Sequence, residues 1–451
     1  MKNPIALALQ EFLSSHCDHA QPLLIALSGG PDSMALFHAL TEYVKEFPLK
    51  IGVAHVDHRW RDESEQEAKQ IGAYVRQMGF PYHEKVLNPA ALSGNLESAC
   101  REERYRFFAE LARAHGYQAV VTGHQSDDLA ETVLKRLFEG STLPFLSGIH
   151  PTIDLNGVAV WRPLLEVSKQ HILSYVEQHQ LPVVEDWTNR DCRFLRGRMR
   201  SEMIPMLCES FGKQALPGLC RLAKESQELQ GYLSERIAAY LDAAIKGPFG
   251  YHLDLNAFQE LHPLELKFLI RQLSEQFQVA ISREAVDTVS HLLLSGKANK
   301  SLPFQNITFY LDRKQIFICN APMLCPPSEK VKIGLDQEVA WGKWKVKSSL
   351  VATSQPSRCS WKELWKGEGT IVVPAARYEL HPPDLSHFYP GSNPLSKWWT
   401  DHKVPAFLRR LAPVLVSDGK LACELLTGQR LERSSSEATT QWMQLMFTLY
   451  G

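Results

Sequence analysis

Short unbroken apolar runs alternate with longer amphipathic stretches through the first half of the chain. The runs at 23–27, Ile51–Asp57, Tyr82–Leu87, Gln118–Gly123 and Ala159–Leu165 read as strands. Glu63–Met78 and Glu97–His115 between them carry apolar residues at helical spacing. That alternation predicts an α/β fold over residues 1–210, a doubly wound parallel sheet with helices on both faces. From about Phe211 to His291 the spacing turns helical, most clearly in Leu219–Leu241 and Glu265–Phe277. A β-like piece follows at Ile307–Cys319, and Pro322, Pro326 and Pro327 read as a linker. The last part has strand-like segments at Trp344–Val351 and Thr370–Pro374 and a helix near Leu395–His402. The expected division is 1–210, catalytic and α/β; 211–325, mostly helical; and 326–451, a small α+β domain.

Composition narrows the class. A chain of 451 residues is long enough for roughly three domains. No apolar run approaches the ~20 residues that span a bilayer, which predicts no membrane contact. Gln10 and Glu11 interrupt the N-terminal apolar stretch, so it makes a poor signal peptide. Nine cysteines occur without a CxxC pair, which fits reduced thiols and a cytoplasmic location. A net charge of −1 means that any nucleic-acid binding must come from local basic patches.

Chemistry concentrates where predicted strands end. Ser28-Gly29-Gly30-Pro31-Asp32-Ser33 lies between the first strand and a helix start. Paired glycines let successive N–H groups point at one anion, and the helix dipole adds partial positive charge. No Lys follows the glycines, so this is not a Walker A loop. An ordinary strand–turn–helix corner is the bland alternative. His55-Val56-Asp57-His58-Arg59-Trp60-Arg61 ends the second strand, either as a solvated loop or as polar residues facing a ligand crevice. Glu97, Arg101 and Arg104 share one helical face, either as a salt-bridge stripe or as guanidinium groups aimed at phosphate.

Thr122-Gly123-His124-Gln125-Ser126-Asp127-Asp128 leads into Glu131 and opens another helix. Its acids are either dipole-favoured caps or carboxylates that hold Mg²⁺ and accept a proton. Glu185-Asp186-Trp187-Thr188-Asn189-Arg190-Asp191 precedes Arg193, Arg196, Arg198 and Arg200. Such a cluster is a solvated charge run or a phosphate-neutralising RNA patch.

These five segments together resemble the tRNA(Ile)-lysidine synthetases, members of the PP-loop N-type ATP pyrophosphatases, over about residues 20–210. Leu395–Trp399 and Val404–Arg409 are similar to that family's last domain. The resemblance implies a PP-loop, adenine nucleotide α-hydrolase-like fold and a two-step ligation. The O2 of the wobble cytidine in a CAU-anticodon tRNA(Ile) attacks ATP, and free L-lysine then displaces AMP from the adenylated base to form lysidine. It further implies ATP and Mg²⁺ as cofactors, with a homodimer as one option. Asp32, Asp127, Asp128 and Arg101 take the catalytic places. Ser28 to Ser33, His55 and His124 would bind nucleotide, and Asp32 and Asp128 the metal. Arg193, Arg196, Arg198, Arg200, Lys397 and Arg409 would bind RNA, with His55, His58 and Trp60 as candidates for holding the splayed base. A tRNA thiolase on the same fold would need a sulfur-carrying cysteine pair, and a non-catalytic ATP-responsive RNA-binding protein would not need the acids.

Overall fold

The computed structural model describes residues 3–59, 63–88, 96–184, 195–212, 215–258, 261–320, 329–352, 359–384, 394–427 and 441–449. The chain divides into two compact units, Met1–Tyr232 and Leu233–Gly451.

The first unit begins with α1 (Pro4–His16), capped by the Asn3 side chain accepting from the Ile5 amide at 3.0 Å. It continues through β1 (Leu23–Ala26), α2 (Pro31–Glu46), β2 (Ile51–Asp57), α3 (Ser64–Gln77), β3 (Tyr82–Val86), α4 (Leu96–His115), β4 (Ala119–Val121) and α5 (Ser126–Phe138). A hairpin of β5 (Thr152–Leu155) and β6 (Val158–Trp161) precedes α6 (Lys169–Gln178), α7 (Leu195–Arg198) and α8 (Ile204–Phe211). A five-residue π-helical turn, Met199–Met203, joins the last two. Helix α9 (Ala215–Asp242) follows.

The six strands lie in the order β3-β2-β1-β4-β6-β5. All pairings are parallel except β5 with β6. Strands β2 and β4 are buried throughout, as expected of parallel strands covered on both faces. On one face α1, α2, α3 and α6 bury Leu9, Phe37, Ile71 and Ile172 against Ile25, Val53 and Val121. On the other, Tyr105, Phe108 and Ala112 of α4 cover Leu24, Ala54 and Val120. Chain direction switches at β1, whose neighbours are β2 and β4, so ligand-facing loops converge at its C-terminal end.

The second unit holds β7 (Ile245–Gly247), β8 (Gly250–Asp254), α10 (Pro263–Glu275), α11 (Arg283–Leu294), β9 (Lys300–Phe304), β10 (Ile307–Asp312) and β11 (Gln315–Asn320). Helices α9–α11 supply the helical middle that the spacing predicts, but the hairpin β7–β8 interrupts it. The reason is non-local: β8 pairs with β11, some sixty residues later, in a five-stranded antiparallel sheet. Gly250 makes that turn with φ +133°, and a Cβ there would stand 1.9 Å from the Ile318 carbonyl oxygen.

Beyond residue 329 come β12 (Val331–Ile333), β13 (Glu338–Trp341), β14 (Trp344–Val351), α12 (Trp361–Trp365), β15 (Glu368–Pro374), β16 (Tyr378–His381), α13 (Leu395–Asp401), β17 (Val414–Ser417), β18 (Lys420–Glu424) and β19 (Trp442–Leu449). They form two four-stranded sheets, β12-β16-β17-β18 and β13-β14-β19-β15. Phe249 and Phe317 of the middle segment share one aromatic core with Trp341, Trp344, Trp361, Trp365 and Trp399. Pro322, Pro326 and Pro327 lie outside the described residues. Among the described residues no helix is long and apolar enough to cross a membrane.

Candidate active site

The loop after β1 is built as a cradle. Gly29 takes φ +87°, and a side chain there would meet Ile71 Cδ1 at 2.6 Å. Gly30 caps α2 without offering a side chain, and Pro31 stands at its first turn, where no N–H is needed. Ser33 is buried and ties the loop to itself. Its hydroxyl donates to the Gly30 carbonyl at 3.0 Å and accepts from the Ser28 amide at 3.2 Å. The Ser28 hydroxyl lies 3.0 Å from it. His55 Nδ1–H donates to the Leu27 carbonyl at 2.8 Å, so His55 braces the strand end that enters the loop.

The second strong motif arrives at the same place from β4. A Cβ on Gly123 would stand 2.9 Å from the Asp32 carbonyl carbon and 2.9 Å from the Ser33 amide nitrogen. Backbone therefore passes against backbone, and the two motifs meet. Gln125 and Asp128 close a capping box on α5. The Gln125 side chain accepts from the Asp127 amide at 2.6 Å, and Asp128 Oδ2 accepts from the Gln125 amide at 3.1 Å.

The remaining oxygens of these acids meet cations. Arg200 donates to Asp128 Oδ1 at 2.7 Å and to Glu131 Oε1 at 2.5 Å. Burial pushes Asp128 up to about 6. Arg200 pulls against that rise, while Glu131 and Asp32 add to it. Burial opposes the Arg200 charge, yet Glu131, Asp128 and Asp32 together hold its pKa above the usual value. Asp128 thus feels Asp32 and Glu131 as like charges around one guanidinium.

A second cluster is wholly cationic. Arg101 and Arg104 stack over the Tyr105 ring at 4.9 and 5.4 Å. Arg162, buried after β6, donates to the His150 carbonyl at 2.6 Å. His124 shares a hydrogen bond with the Thr122 hydroxyl at 2.8 Å. Burial, then Arg162, Arg104, Arg101 and Arg196, push His124 down to about 3, so its ring is neutral at physiological pH. The charges of four arginines reach this ring, a local field suited to an anion.

Residues 1–207 match the PP-loop domain family, and residues 385–442 match the TilS substrate C-terminal domain. The tRNA(Ile)-lysidine synthase of Protochlamydia amoebophila is 35% identical over 443 residues, 97% of this chain and 95% of that one. This chain belongs to the tRNA(Ile)-lysidine synthase family. The lysidine synthase of Chlamydia muridarum is 36% identical over 318 residues, 69% of this chain and 95% of that one. The U34-tRNA thiolase NcsA from Methanococcus maripaludis, solved with its [4Fe-4S] cluster, matches at TM-score 0.41 and 19% identity, over 50% of this chain and 78% of that one.

For a lysidine synthase, the structure gathers most of the sequence-named residues and separates some. Ser28 to Ser33, His55, Asp127 and Asp128 lie together at the C-terminal ends of β1, β2 and β4. Arg101 and His124 stand in the arginine cluster. Arg200, expected to face RNA, is exposed, and its guanidinium pairs with Asp128 and Glu131. Arg198 is exposed, as is Arg196, whose charge also reaches His124. Lys397 is exposed on α13, whereas Arg409 donates to the Val404 carbonyl at 3.0 and 3.2 Å and acts there as a structural tie. Trp60, Arg61, Asn95, the run Glu185–Asp191, Cys192 and Arg193 lie outside the described residues, as does the Glu97 side chain.

Two site residues were not found by motif. Lys169, at the start of α6, places its ammonium 2.7 and 2.8 Å from the two Asp32 oxygens, and its amide donates to Asp127 Oδ1 at 3.2 Å. Arg162 follows a buried strand directly and precedes a proline, a crevice position that could have singled it out. Cys220 packs on the start of α5. Its thiol donates to the Ser126 carbonyl at 3.3 Å, and burial, then Asp127, push it up to about 11. It is a protonated packing group at neutral pH.

Proposed function

We propose that ATP-dependent formation of lysidine on tRNA(Ile) is carried out by the residues gathered at the C-terminal end of β1. The observation that carries this reading is the meeting of the Ser28–Ser33 loop with the Asp127–Glu131 acids, in a chain of this family. The loop amides and hydroxyls hold the β,γ-pyrophosphate of ATP at the positive end of α2. The O2 of the wobble cytidine in a CAU anticodon attacks the α-phosphorus. The bond from that phosphorus to the bridging oxygen breaks, pyrophosphate leaves, and an adenylated base remains. The ε-amine of free lysine then attacks C2, and the C2–oxygen bond breaks to release AMP. The proton shed by the amine passes to Asp128, which is ionised at neutral pH and more basic than an exposed aspartate. Arg101, Arg104 and Arg196 balance charge on the phosphates of ATP or of the anticodon.

The carboxylates fit Mg²⁺. Asp32 lies close enough to raise the proton affinity of Asp128, and Mg²⁺ bound beside substrate phosphates needs only one or two carboxylates such as these. When bound, the ion would screen the charge of the triphosphate and the leaving group. Arg198 and Lys397 are the exposed basic residues we assign to tRNA, and a cytoplasmic location follows from that substrate.

The test combines the protein, Mg-ATP, labelled lysine and a CAU-anticodon tRNA(Ile) transcript. Label should enter the RNA with matching release of AMP. Modification that needs a thiol source instead of lysine would overturn the reading.

A further inference from the structure

The PP-loop lacks the lysine that grips phosphates in a Walker A loop, yet a lysine stands at its mouth. The Lys169 ammonium sits across both oxygens of Asp32, the acid in the first turn of α2. Its amide is fastened to Asp127 of the second motif. We infer that Lys169 is the phosphate-gripping cation of this site, supplied by α6 in place of the loop, and that its pairing with Asp32 is a resting position. The inference rests on the reading of the loop as an ATP pyrophosphate cradle.

Three features favour a transferable cation over a fixed strut. The root of the side chain is rigid. Ser168 caps α6, Ile172 is buried in the same core as Phe37 of α2, and Tyr175 shares a 2.8 Å hydrogen bond with His38 of α2. The head is not buried: the Lys169 and Asp32 side chains retain 32% and 29% of their exposure, and such pairs add little to stability. A lysine ammonium on a four-carbon stem also re-aims without moving the backbone. Were Asp32 to hold a metal, Lys169 would be left without that partner and could turn to the β- and γ-phosphate oxygens held by the loop. There it neutralises the charge that builds on pyrophosphate as the bond to the α-phosphorus breaks, and no proton moves.

Binding of magnesium pyrophosphate and of AMP, each measured by calorimetry on the full chain, tests this without tRNA. Lys169→Met should weaken pyrophosphate binding by about 10- to 100-fold, the range of a charge-assisted hydrogen bond, and leave AMP binding and the melting temperature unchanged. Lys169→Arg should restore most of the loss, and ATP–pyrophosphate exchange by Lys169→Met, run separately with tRNA(Ile) present and lysine absent, should show a lowered kcat. Undiminished pyrophosphate binding by Lys169→Met would overturn the inference. So would equal loss of pyrophosphate and AMP with a lowered melting temperature, which marks a strut. Wild-type protein that binds AMP but no pyrophosphate would overturn the cradle reading itself, and the inference with it.

Discussion

Replacing Arg200 with Met should move the acid limb of lysidine formation toward alkaline pH. Arg200 is the cation that pulls against the raised pKa of Asp128, and it reaches Asp128 at 2.7 Å and Glu131 at 2.5 Å. Unit charges about 4 Å apart interact by roughly 4 kcal/mol at an effective dielectric near 20. The Arg200 side chain keeps 36% of its exposure, so solvent screening brings this to about 2 kcal/mol. At 1.36 kcal/mol per pKa unit, Asp128 should rise by about 1.5 units, to roughly 7.5. The assay is single-turnover transfer of labelled lysine to tRNA from about pH 5 to about pH 9, with lysine and ATP saturating. Wild type should lose rate as pH falls through about 6, the value of Asp128. Arg200→Met should begin to lose it more than a unit higher and recover much of its rate at the alkaline end. An unmoved limb with a uniformly lower rate would refute the coupling and return Arg200 to a role in RNA binding.

Asp32→Ala should abolish pyrophosphate release while tRNA binding in a filter assay stays near wild type; equal loss of both would mean that Asp32 is structural. Gly123→Ala should weaken ATP binding and cost about 1–3 kcal/mol of stability by denaturant titration, because its Cβ would press on the backbone of Asp32 and Ser33, not on a side chain that can turn away. Asp128 sits above its ordinary value in the folded state, so its contribution to stability is fully present below about pH 4 and is lost as pH rises through about 6. Asp128→Asn should therefore melt later than wild type at pH 8, by at most about 3 kcal/mol, and match it near pH 4, while losing lysine transfer. A lower melting temperature for Asp128→Asn at pH 8 would contradict this.

The first unit was legible because its central strands are buried on both faces, so β1, β2 and β4 survive in the sequence as plain apolar runs. The edge strand β5 was not, because Thr152, Ile153 and Asp154 are all exposed and carry no core pattern. The hairpin β7–β8 was hidden for a different reason: its partner strand lies far along the chain, and local spacing around it is helical. Within the site, the contiguous motifs at 28–33 and 122–131 were readable because backbone turns dictate their glycines and caps. Lys169 was not, since a single lysine at a helix start looks like any solvated residue until the fold brings Asp32 to it. The pairing of Arg200 with the acids was hidden by its neighbours. Arg196, Arg198 and Arg200 look alike in a charge run, and only the path through the Met199–Met203 turn decides which one meets the acids.

The close passage of Gly123 beside Asp32 and Ser33 has a practical consequence for anyone borrowing this nucleotide cradle. The six-residue loop is not a portable module. Its shape is half defined by a second peptide that reaches it from some ninety residues away, and a host scaffold offering any side chain at that crossing would push the loop open. A transplant has to carry both strand ends and their spacing, or redesign them together.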